Sequence, residues 1–79
     1  MEHITVLGVS LGGSRPMSYT VMSSADGSEI GHYAWHDADG LYVFWPMPGN
    51  GYPPEALFEI ALCLSNPGVY AEASIDAEG

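Results

Sequence analysis

Apolar and polar positions alternate along most of this chain, and the period changes once, near residue 54. Residues 3–9 are rich in β-branched side chains (Ile4, Thr5, Val6 and Val9) and predict a first strand. Over residues 17–23, Met17, Tyr19 and Val21 alternate with Ser18, Thr20 and Met22, which predicts a second. Residues 29–36 place Tyr33 and Trp35 on one face of a third strand and His32 and His36 on the other. Residues 41–45 are apolar on both faces, the pattern of a central or covered strand, and Pro46 ends it. A Gly-Gly-Ser-Arg-Pro loop at 12–16, an Asp26-Gly27 hairpin turn and a turn at 37–40 separate these strands.

After an irregular stretch at 47–52 the period becomes helical. Pro53 and Pro54 suit a first helical turn, and the helix is expected over residues 54–65. Leu57, Ile60, Ala61 and Leu64 form its predicted buried stripe, widened by Phe58 and Leu62, with Glu55, Glu59 and Cys63 on the opposite side. Asn66-Pro67-Gly68 stops it. Residues 69–75 alternate again and predict a last strand, followed by a short acidic tail at 76–79. The order ββββαβ predicts one α+β domain over residues 1–79. Its single antiparallel β-sheet of four or five strands packs one face against one α-helix. Whether the last strand joins an edge or inserts between earlier strands stays open.

Charge changes the picture. Ten acids face a single base, Arg15, giving a formal net charge of −9 in 79 residues. One arginine and no lysine cannot displace the counterions around phosphate, so no direct nucleic acid binding is expected. An anionic membrane surface is excluded on the same ground. The single cysteine, Cys63, allows neither an intrachain disulfide nor a cysteine zinc cluster. A reducing compartment fits this usage. Met1-Glu2-His3-Ile4 lacks the layout of a signal peptide, and no apolar run approaches the ~20 residues that span a bilayer. The expectation is an intact cytoplasmic product.

Candidate chemistry is sparse. His32 and His36 would share a metal on a helix, but on a strand they stand about 13 Å apart. A zinc ion needs each ligand nitrogen within about 2.1 Å, leaving only His36 with Asp37 or Asp39 as a conceivable set. The Asp37-Ala38-Asp39-Gly40 run opens like a calcium loop, yet its sixth position is Tyr42 and its twelfth Pro48, which fits a turn instead. Gly8, Gly12 and Gly13 lack phosphate-loop spacing, and no serine sits in a nucleophile elbow. Cys63, late in an apolar helix, suits inert packing. The sequence therefore predicts no catalytic residues, no metal and no cofactor.

What remains is surface. Short reversals are expected to gather Glu2, Asp26, Glu29, Glu55, Asp76 and Glu78 at one end of the sheet, with Asp37, Asp39 and Arg15 at the other. The expected partner-binding residues are Asp26, Glu29, Asp37, Asp39, Asp76 and Glu78, with Trp35 and Tyr52 as exposed aromatic anchors. In length, charge and the lack of a site, the chain resembles the small acidic inhibitors of phages and mobile elements, the anti-CRISPR proteins above all. That resemblance rests on Asp26, Glu29, Asp37, Asp39, Asp76 and Glu78 rather than on an alignable segment. It implies an inhibitor that occupies a basic, DNA-binding surface of a CRISPR effector or a similar nucleic-acid-handling complex. The alternative is a phage or bacterial structural module, a homodimer joined at exposed sheet edges, whose acidity serves solubility alone.

Overall fold

The computed structural model describes residues 2–10, 18–49 and 51–76, except for the side chains of residues 74–76. The elements follow the predicted order: β1 (Ile4–Ser10), β2 (Ser18–Ser23), β3 (Glu29–His36), β4 (Leu41–Pro46), α1 (Pro54–Ser65) and β5 (Ala71–Asp76). They build one five-stranded sheet in the order β4-β3-β2-β1-β5 with the helix on one face. The first-strand loop with Arg15, the predicted start of the second strand at Met17, and Glu78 lie outside the described residues.

The first four strands form an antiparallel meander, and the β2–β3 and β3–β4 reversals are short and carry their own turn chemistry. At the β2–β3 turn, Asp26 Oδ1 accepts from the Ser28 backbone N–H at 2.9 Å and from its hydroxyl at 2.7 Å, and Gly27 supplies φ of 75°. At the β3–β4 turn, the Gly40 N–H donates to His36 O at 2.9 Å with φ of 66° at the glycine.

The sheet departs from expectation in two ways. It is mixed rather than wholly antiparallel, because β5 pairs in parallel with β1, Val6 beside Ala71 and Ser10 beside Asp76. The helix ends over the middle of the sheet, where the Tyr33 hydroxyl donates to Pro67 O at 2.8 Å. Residues 66–70 then carry the chain back to the start of β1. Val69 belongs to this turn, its N–H donating to Asn66 O at 3.1 Å, so the strand begins at Ala71 rather than Val69. The second departure is β4, which is an edge strand and not a central one.

Opposed residues of antiparallel neighbours share a face. Toward the helix point Ile4 and Val6, Val21 and Tyr19, Gly31 and Tyr33, and Phe44 and Tyr42. Tyr19 stacks on Tyr33 with ring centroids 4.7 Å apart, and Tyr42 meets both rings edge-on. A bulge at the start of β3 turns both Ile30 and Gly31 inward.

The helix buries Ala56, Ile60 and Cys63, an i, i+4, i+7 stripe one position earlier than the predicted one. Leu57 and Phe58 are 49% and 67% exposed, and Ala61 is exposed too. The tyrosines beneath explain the shift. They already fill the space over the middle of the sheet, so a small side chain, Cys63, faces Tyr33 there. Glu59 is drawn inward by polar partners, accepting from the backbone N–H of His3 at 3.0 Å and of Ile4 at 3.2 Å.

Candidate functional site

Of the six acids expected at one end of the sheet, four are brought there and Asp76 is not. Because β5 runs parallel to β1, Asp76 lies beside Ser10, at the opposite end from Asp26 and Glu29. The end that holds the β2–β3 turn keeps Glu2, Asp26, Glu29 and Glu55; the other holds Asp37, Asp39 and Asp76. The expected cluster thus keeps these four acids and loses Asp76 to the far end of the strands.

Several of these side chains also have work within the fold. Hydrogen bonds from the Ser28 backbone and hydroxyl hold the Asp26 carboxyl below its usual range. Asp37 Oδ1 accepts from Trp35 Nε1 at 2.7 Å. Asp39 Oδ2 lies 2.9 Å from His36 Nδ1, without hydrogen-bond alignment. Glu29 is exposed on the sheet end.

The two aromatic anchors separate. Trp35 is 51% exposed, on the helix side of the sheet but beyond the helix, edge-on to Tyr42 at 5.5 Å. Tyr52 is no exposed anchor. It is only partly exposed, and its hydroxyl donates to Ile30 O at 2.7 Å while its ring meets Phe44 edge-on. The carbonyl it holds sits at the β3 bulge, so Tyr52 pins the connection between β4 and the helix.

The broadest feature was not predicted. On the face away from the helix lie Leu7, Val9, Thr20, Met22, His32, Ala34, His36, Val43 and Trp45. No described helix or strand covers this outward face, and Glu29, at one rim, is the only acid within strands β1 to β4. Trp45 anchors it at 38% exposure, with His32 stacked on it at 5.3 Å and His36 edge-on at 5.9 Å. Leu41 at 50% exposure extends it along β4. The signal was legible: β4 is apolar on both faces. That pattern suits a central or covered strand, whereas β4 lies at the edge with one face open.

The other chemistry-bearing groups make contacts within the fold. His3 Nδ1 meets Glu59 Oε2 at 2.5 Å. That hydrogen bond raises the imidazole above its usual 6.5 against the opposing effect of burial. Burial alone would raise the Glu59 carboxyl, but the His3 side chain and the His3 and Ile4 N–H groups outweigh it and hold it below 4.5. Burial pushes the Cys63 thiol up, against a hydrogen bond with Tyr33, which disfavours a thiolate nucleophile. Burial likewise pushes the Tyr33 phenol far up. The described residues contain no group of three His, Cys, Asp or Glu placed to share a metal. No described helix is long and apolar enough to cross a membrane. Comparison with protein families, with curated proteins and with solved structures gives no match.

Proposed function

We propose that this chain is a non-catalytic binding protein that docks on a basic protein surface, a cytoplasmic nucleic-acid-handling complex being the partner class its charge suits. The observation that carries the reading is the outward sheet face, uncharged across its middle and framed by carboxylates at both strand ends. Six residues of strand separate those ends, about 20 Å. A surface with an apolar centre and Arg or Lys at both margins is the complement of that layout. The net charge of −9 then speeds encounter and sets orientation, while Trp45 supplies the buried contact. In this form the protein inhibits by occupancy, as the resemblance to anti-CRISPR proteins implies, and covers the site where the partner would hold DNA.

The test is capture of host proteins on immobilised protein at low and high salt, repeated with duplex DNA as competitor and with Trp45→Ala. Captured proteins should be basic, should leave the matrix as salt or DNA is raised, and should bind Trp45→Ala about tenfold more weakly or worse. Capture indifferent to salt and to Trp45→Ala would overturn the proposal.

A further inference from the structure

The two edges of the sheet are built differently. β5, at one edge, carries Glu72 and Asp76. Charged residues on an edge strand deter further pairing. β4, at the other, reads Leu-Tyr-Val-Phe-Trp-Pro and has no charged residue at all. The geometry points to a second copy of this chain as the occupant of that unguarded edge. The two β4 strands pair antiparallel about a twofold axis through Val43. This goes beyond the docking of a basic partner and does not depend on it.

Three observations choose the second copy and its register. First, the Met47 N–H donates to Ile30 O at 2.9 Å, so position 47 turns its backbone toward β3. By strand alternation Trp45, Val43 and Leu41 do the same, and Tyr42, Phe44 and Pro46 turn their backbone groups to the open edge. Pro46 lacks an N–H where β3 needs none. With Val43 on the axis, Tyr42 faces Phe44 of the second copy. The edge-facing N–H and C=O of both residues in both copies are then all paired.

Second, the side chains match. A twofold axis normal to the sheet keeps both helices on one side. Leu41 then meets Trp45 of the second copy and the two Val43 side chains meet each other on the outward face, while Tyr42 meets Phe44 on the helix face. Each is an aliphatic or aromatic pair of the kind that stabilises neighbouring strands.

Third, the charges permit it. Antiparallel pairing sends the Asp37–Asp39 turns of the two copies to opposite ends, about 20 Å apart along the strands. That exceeds the Debye length of about 8 Å at physiological salt. Each turn comes instead beside residues 47–49 of the other copy, Met-Pro-Gly, which carry no charge. The product is one ten-stranded sheet whose outward faces join into a single platform.

Cysteine trapping reads the register directly. Val43 faces itself as a non-hydrogen-bonded pair, with Cα atoms about 4.5 Å apart, within disulfide reach. Two Leu41 residues would lie about 13 Å apart, out of reach. Under mild oxidation Val43→Cys should give a covalent dimer, and Leu41→Cys should not. Wild-type protein, with Cys63 buried, serves as the control. Sedimentation of the wild type should show mass rising with concentration from 8.4 kDa toward twice that value. Salt should strengthen this association by screening two like-charged bodies, whereas it should weaken binding to a basic partner. A monomer at every concentration, or disulfide formation as fast at Leu41→Cys as at Val43→Cys, would overturn the inference and leave the proposed partner binding untouched.

Discussion

Two single residues decide how the sheet and helix meet their neighbours. Gly31 is buried in β3, and a Cβ there would lie 2.5 Å from Phe44 Cζ and 2.6 Å from Trp45 O. The ring could swing away, but the carbonyl belongs to the β4 backbone. Gly31→Ala should therefore cost at least about 1–3 kcal/mol in urea unfolding. Adding Phe44→Leu should recover only part of that, since Trp45 O remains. Glu59 is the second residue. Its raised partner, His3, contributes stability fully present below the usual imidazole value of 6.5 and lost as pH rises through the higher folded value. Its own lowered carboxyl contributes stability present above 4.5 and lost as pH falls through the folded value. The melting-temperature difference between wild type and His3→Ala should thus be widest between pH 4.5 and 6.5. A difference that keeps growing above neutrality would contradict this assignment. Neither residue is marked by local pattern: the partner of Glu59 lies 56 positions away, and that of Gly31 is an aromatic ring on another strand.

At the scale of elements, the sequence is legible wherever the signal is local. Turn residues and alternation place four strands to within about a residue, and the double proline and Asn66 bound the helix as expected. The rotation of the helix about its axis is not local, because it depends on what lies beneath. An apolar count favours Leu57 and Phe58, but the tyrosine layer selects Ala56, Ile60 and Cys63. The two readings give different thermodynamics. Ile60→Ala should cost about 2–5 kcal/mol by lost burial and cavity formation, whereas half-exposed Leu57→Ala should cost under about 1 kcal/mol. Equal losses in chemical denaturation would mean that the helix packs with the earlier, leucine-centred face. The edge position of β4 was hidden for the same reason: an apolar strand looks the same from sequence whether covered or left open.

For the molecule as a whole, the misread feature with the widest effect is the direction of β5. The expected gathering of acids at one end required that strand to run antiparallel to β1, and the parallel pairing moves Asp76 away from Asp26 and Glu29. The outward face went unread because no single strand displays it; it exists only once β1 to β4 are in register. The same parallel pairing sets the timing of assembly. Strands β1 to β4 meet through short reversals, each a local closure of little entropic cost. β5 must find β1 across a separation of more than 60 residues, Val6 to Ala71. Non-local contacts of that kind form late. The four-strand meander should therefore organise first, with the last strand arriving after the helix has settled. An edge strand that joins late is also the first to leave, and native-state hydrogen exchange should find the amides of residues 71–76 protected less than those of β2, whose neighbours are close in sequence on both sides. Equal protection would mean that the parallel seam closes together with the meander, as one cooperative unit.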